Sequence, residues 1–303
     1  MSREKTQPVH LDVRDPRLIG VLDPAAHMEM ILTGFKFTEG PIWHPRAHHL
    51  RFSDVLGNST FEWSEGRGLR DIRPNSHLAN GSTYDRQGRM LTCHHATSRI
   101  TRMEPDGGVT VVASHYNGKQ LNSPNDIIVR SDGKIFFTDP LFGREPSSGI
   151  PRPAELTHTG VYCLDPVTSE LTLLADDFSG PNGLCFSLDE WQLFVNDTHR
   201  DHIRVFDVEP DGTLKNSRVW ATLAGDAEGW PDGMKIDSTG KLFATGPGGI
   251  HVFMPDATCL GVIETPEPAA NLAFGDPDLC GLYITATTSV YRVRVRHAGL
   301  PLF

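Results

Sequence analysis

Positive charge is scarce in this chain: 28 Lys and Arg stand against 38 Asp and Glu, a formal charge of −10 over 303 residues. A phosphate backbone rewards the opposite balance, so nucleic acid is not an expected partner. Long apolar runs are also missing. None approaches the roughly 20 residues needed to span a bilayer, so no membrane contact is expected. The opening MSREKTQPVHLDVRD lacks the apolar centre of a secretory signal, and a cytoplasmic location is the expectation. There are only five cysteines, Cys93, Cys163, Cys185, Cys259 and Cys280, and no Cys-x-x-Cys pair. They read as small buried hydrophobes in a reducing compartment, not as a zinc or redox site.

Other absences narrow the chemistry. No Gly-x-Ser-x-Gly elbow argues for a serine hydrolase. No His-Glu-x-x-His argues for a classical metalloprotease. The Asp-Gly pairs at Asp106, Asp132 and Asp211 lack the rest of a calcium-binding helix-loop-helix, so they read as hairpin turns. Long helical periodicity is absent as well. With 29 Gly and 22 Pro punctuating many short alternating runs, the chain reads as an all-β repeat architecture.

The repeats can be registered on one polar residue each: Glu39, Asn80, Asn125, Asn182, Asp232 and Asn271. Their spacings are 41, 45, 57, 50 and 39 residues, close to the roughly 40–50 residues of a propeller blade. Each anchor precedes a short run, a polar turn and further strands, as in NDIIVRSDGKIFFTD and DGMKIDSTGKLFATG. The fold expected is one six-bladed β-propeller over residues 1–303. Its sixth repeat shows only three strands, so residues 27–34, HMEMILTG, are expected to close the ring as the last blade's outer strand. Residues 1–26 are then an N-terminal extension. The alternating Arg292, Arg294 and Arg296 read as the solvated face of an outer strand.

In a propeller the inner strands line a central channel, so anchors far apart in sequence converge at one end. The six anchors are two carboxylates and four amides. Two crowded carboxylates repel and call for a counter-charge. Carboxylate and amide oxygens suit a hard divalent cation, with places left for water or substrate. Taken singly, Asn or Asp beside Pro and Gly is an ordinary turn residue. The joint register of all six favours a metal site.

The segments FTEGPIW, LNSPNDIIVRSDGKIFFTDP, GPNGLCFS and PDGMKIDSTGKLFATGPGGIHVF resemble the gluconolactonase, regucalcin and luciferin-regenerating enzyme family, nearest its bacterial gluconolactonase branch. The likeness runs from about Glu39 to the last blade. It implies a six-bladed propeller with one channel cation, Ca²⁺ by expectation and Mg²⁺, Mn²⁺ or Zn²⁺ as alternatives. Its ligands fall on Glu39, Asn182 and Asp232, while Asn125 meets the metal or its bound water and substrate. Animal members carry an arginine where this chain has Ser123, so their sugar contacts do not transfer. His94 and His95 match a position where bacterial relatives often have Glu-His, and both are candidate substrate contacts.

The activity implied is hydrolysis of a sugar lactone, glucono-1,5-lactone to gluconate, by a monomer or homodimer. Asp232 is the candidate general base, or orients the attacking water while holding the metal. The alternatives are another lactonase, a phosphotriesterase, or a non-enzymatic interaction propeller with a structural metal.

Overall fold

A computed structural model describes residues 6–23 and 25–303. The parts of the N-terminal extension at residues 1–5 and 24 lie outside the described residues. Six antiparallel sheets follow one another along the chain, each a meander from an inner to an outer strand. The first is Thr38–His44, His49–Asp54, Ser59–Ser64 and Gly68–Pro74. The next four open with Ala79–Tyr84, Ile127–Val129, Pro181–Phe186 and Met234–Ile236, and the sixth with Ala269–Gly275. Each of these six inner strands lies against the next, and the sixth lies against the first, so the ring closes. This is the six-bladed propeller that the repeat spacing predicts.

Period-two alternation explains how the blades pack. Successive side chains of a strand point to opposite sheet faces, and each face meets a different neighbouring blade. Phe136 packs among Leu184, Leu193 and Phe206 of blade four, whereas Phe137 packs among Leu91, Cys93 and Ile100 of blade two. Burying a Phe side chain contributes about 2–3 kcal/mol. Six such apolar clusters lie between successive blades around the ring. The cysteines behave as small apolar side chains: Cys93, Cys163 and Cys185 are buried, and all five are free.

Blade six is completed from the other end of the chain. His27–Thr33 pairs antiparallel with Ser289–Arg294, and Thr6–Pro8 adds a fifth strand outside it. Leu11–Val13 adds a fifth strand to blade five, alongside Cys259–Glu264. One detail departs from the sequence reading. Ser289–Arg294 is covered by His27–Thr33 and is not an outer strand. Arg292 instead pairs with Glu29, Glu65 and Asp276, and Arg294 with Asp276 and Asp278. Among the described residues no helix is long and apolar enough to cross a membrane.

Candidate active site at one end of the channel

The anchors sit at the entry to the inner strands, and the local chain geometry turns them inward. The strand ladder slips between Glu39 and Ile42, between Ala79 and Ser82, and between Pro181 and Leu184. Such bulges take a side chain out of the regular alternation and re-aim it. The glycines that follow have a steric role rather than a turn role. A Cβ on Gly40, at φ 54°, would lie 2.1 Å from the Asn80 carbonyl oxygen, and one on Gly183 would lie 2.0 Å from the Asp232 carbonyl oxygen. Without glycine there, the inner strands cannot crowd closely enough to bring their anchors together.

Five of the six anchors line one cavity of about 310 Å³: Glu39, Asn80, Asn125, Asn182 and Asp232, joined by His95. Apolar side chains from loops at the same end complete it: Phe37, Val55, Leu56, Phe142 and Trp230. Asn271 stays beneath, where its Nδ2 donates to Glu39 Oε2 at 3.0 Å and its Oδ1 accepts from the Leu272 N–H. His94 does not reach the cavity, and the expectation that it contacts substrate is corrected. Its Nδ1 bonds the Ser76 carbonyl at 2.7 Å and its Nε2 bonds Thr101 Oγ1 at 2.8 Å, inside blade two. His94 is the last residue of the strand Met90–His94, and His95 opens the turn that follows, where it reaches the cavity.

Each polar side chain is oriented by a partner. Glu39 Oε2 also accepts from the Gly40 N–H. Trp230 Nε1 donates to Asp232 Oδ2 at 3.2 Å. Asn182 donates through Nδ2 to Thr198 Oγ1 at 3.0 Å, and its buried Oδ1 has no partner among the described residues. Ser123 is fully buried and accepts from the Gly143 N–H while donating to the Pro140 carbonyl. It packs the base of the Phe142 loop and does not line the cavity.

The electrostatics of the group are unfavourable as it stands. Burial raises the pKa of both Glu39 and Asp232; the Glu39 charge raises Asp232 further, and the Asp126 charge raises Glu39 further. Asp126, buried below them, is raised too and acts on both. Lys235 is the cation that opposes this, lowering Glu39 and Asp126. With all three carboxylates ionised, this group is two charges short of neutrality. A divalent cation supplies that deficit, and an unpaired amide oxygen beside two carboxylates is a donor set of the hard kind it prefers. The residues therefore fit such an ion. Among the described residues no three His, Cys, Asp or Glu side chains gather into a metal-holding group, so an ion here would depend on the amides.

Trp230, Thr198, Asp126 and Lys235 were not singled out from the sequence. Asp126 directly follows Asn125 at an anchor and could have been suspected. The others act through positions that only the closed ring defines.

Comparison with known proteins places this arrangement among relatives. The profile of the SMP-30/Gluconolactonase/LRE-like region matches residues 37–288. A gluconolactonase of Zymomonas mobilis is 34% identical, with 94% of this chain and 85% of that protein aligned. A gluconolactonase structure from Xanthomonas campestris is 35% identical and superposes with a TM-score of 0.87 over 96% of this chain and 95% of that one. A calcium-binding regucalcin from Agrobacterium tumefaciens shares the fold, with a TM-score of 0.72 at 18% identity over 90% and 97% of the two chains.

Proposed function

This chain belongs to the SMP-30/Gluconolactonase/LRE-like family, and from that premise we propose that it hydrolyses glucono-1,5-lactone to gluconate with a divalent cation held at the open end of its channel. Its class as a lactonase rests on the family and on the two gluconolactonase matches. The observation that carries the cation is the gathering of buried Glu39 and Asp232, both with raised pKa, in one cavity with the unpaired Asn182 Oδ1.

Glu39, Asn182 and Asp232 would hold the ion, and Asn125 would offer its amide to the ion, its water or the substrate. Calcium, which the Agrobacterium regucalcin binds, suits an all-oxygen set; Mg²⁺, Mn²⁺ and Zn²⁺ are the alternatives to test. When bound, such an ion supplies a Lewis acid for the lactone carbonyl oxygen, on which negative charge builds as water attacks. Asp232 is the residue placed to orient that water or accept its proton, and Trp230 Nε1 fixes its carboxylate. Glu39, held by Gly40 and Asn271, contributes charge balance. The amides of Asn125 and Asn182 supply oxygens without neutralising the cation. Phe142 and Trp230 present aromatic faces that cover the apolar side of a sugar ring and keep bulk water out.

The test is acid release from glucono-1,5-lactone, with spontaneous hydrolysis subtracted, before and after chelation. Chelation should lower the rate by about a hundredfold or more, and one of Ca²⁺, Mg²⁺, Mn²⁺ or Zn²⁺ should restore it. A rate indifferent to chelator removes the cation from the mechanism.

A further inference from the structure

One anchor has no task in that mechanism. Asn80 enters the inner strand of blade two, is only 5% exposed and lines the cavity. Its buried Oδ1 has no hydrogen-bond partner among the described residues. Buried carbonyl oxygens are nearly always paired, so a bare one facing a cavity awaits a donor. Its other amide atom is already committed, because Nδ2 lies 2.8 Å from His95 Nε2.

With the amide nitrogen turned to the ring, that contact sets the roles of the two side chains. An amide nitrogen can only donate, so Nε2 is the bare, accepting nitrogen, and the ring proton sits on Nδ1. His95 Nδ1 is itself buried with no hydrogen-bond partner among the described residues, so the Asn80 amide is the side-chain partner that orients the ring. The histidine cannot swing aside. A Cβ on Gly143 would lie 2.5 Å from His95 Cβ, which shows how tightly the loop from blade three presses on it. Arg152 of the same loop donates to the His95 carbonyl and to Ser98 Oγ.

We propose that Asn80 is a specificity-determining residue whose side-chain carbonyl accepts a hydrogen bond from a ring hydroxyl of the substrate, and that His95 is the positioning residue that keeps that carbonyl turned to the cavity. This rests on the lactonase reading above and narrows it to polyhydroxylated lactones. A site built to pair with a hydroxyl discriminates against the analogue that lacks it, because the buried acceptor is then left bare. The blade-three loop carrying Phe142 and Ser148 therefore contributes to selectivity through the histidine it clamps.

The experiment compares glucono-1,5-lactone with δ-valerolactone, the same ring without hydroxyls, at saturating Ca²⁺. Measured are kcat, KM and the Ca²⁺ affinity of the unaltered chain and of Asn80→Ala, Asn80→Asp and His95→Ala. The ratio of kcat/KM for the sugar lactone over the bare one should fall by about tenfold or more in Asn80→Ala, chiefly through KM. Asn80→Asp keeps an acceptor oxygen on the same stem and should retain more of that ratio. His95→Ala should shift it in the same direction by less. An unchanged ratio in Asn80→Ala, or equal losses on both lactones in Asn80→Ala and Asn80→Asp alike, overturns the proposal while leaving the lactonase reading intact. So does a large fall in Ca²⁺ affinity, which would make Asn80 an ion ligand. If the unaltered chain turns over neither lactone, the lactonase reading itself fails and takes this inference with it.

Discussion

At one end of the channel the inner strands begin with Glu39, Asn80, Asn125, Asn182 and Asp232. A few residues further along, at the other end, the same strands present Ile42, Thr83, Ile128, Cys185 and Ile236 around a smaller space of about 190 Å³. The first end is roofed only partly, by loops. The second is crossed by the C-terminal segment: Leu300, Pro301 and Leu302 line it, and the Phe303 ring packs edge-on to His44 and Tyr84 at 5.1 and 5.3 Å. Arg46 lies over the same ring. The strands themselves are alike. What separates the two ends is which side chains stand at the strand entry and which segment lies across the exit. Carboxylates and amides gather at the first, and the C-terminal segment packs across the second.

The largest expected effect lies at the open end. Asp232→Ala should lower kcat on the sugar lactone by roughly a thousandfold, because it removes together the proposed ion ligand and the group proposed to act on the attacking water. Stability should move the other way. Without a cation, Asp232 and Glu39 repel, so in chelator the variant should melt no lower than the parent chain. Acid release and a thermal melt read the two quantities separately. Full activity in Asp232→Ala would mean that the open end is not where hydrolysis occurs.

The end crossed by the C-terminal segment should answer in reverse. Phe303→Ala removes a half-buried ring with three aromatic or cationic neighbours, and should cost about 1–3 kcal/mol of stability. Its kcat/KM should match that of the parent. Denaturant melts check the first, steady-state kinetics the second. A loss of activity as large as the loss at Asp232 would show that the two ends are coupled through the channel and are not separate devices.

The sequence made the ring legible because anchors and turns recur at blade length, and the alternation of the strands survives in runs such as KIFFTD. The gathering of Glu39, Asn125, Asn182 and Asp232 was legible for the same reason: equivalent positions of a closed repeat must meet. The pairing of partners around them was not. Lys235 near Asp126 depends on a distance across blades, which no local pattern encodes, and although Trp230 lies two residues from Asp232 and Thr198 lies in the same blade as Asn182, nothing in the sequence marks either as the partner. Two adjacent histidines also looked equivalent in TCHH. Which one faces the channel depends on where the strand ends, and His95 lies in the turn just past that end. The Pro-Asn-Gly motifs invited a turn reading, yet their glycines serve close approach between strands.

His94 belongs to neither end, and it gives the smallest and most discriminating effect. Its ring is buried in blade two, and burial pushes its pKa down to about 3, with Arg73 and Arg99 adding like-charge repulsion. In the unfolded chain the same group takes up a proton as pH falls through its ordinary value of 6.5. Between those two values the unfolded state binds more protons than the folded one, so stability must decline as pH is lowered across that window. In His94→Gln this contribution is absent. The variant should be less stable than the parent at pH 7, by about 1–2 kcal/mol for the bonds to Ser76 and Thr101 it weakens. The gap should then narrow by a few degrees of Tm as pH falls from 6.5 towards 4. Acid sensitivity should not vanish from the variant altogether, because His95 is held down to about 4 by its own burial and titrates in part of the same window. Lactone selectivity should be untouched. Parallel Tm-versus-pH lines for the two proteins would mean that His94 is not buried neutral in the folded chain, and would reopen its assignment to the interior of the blade.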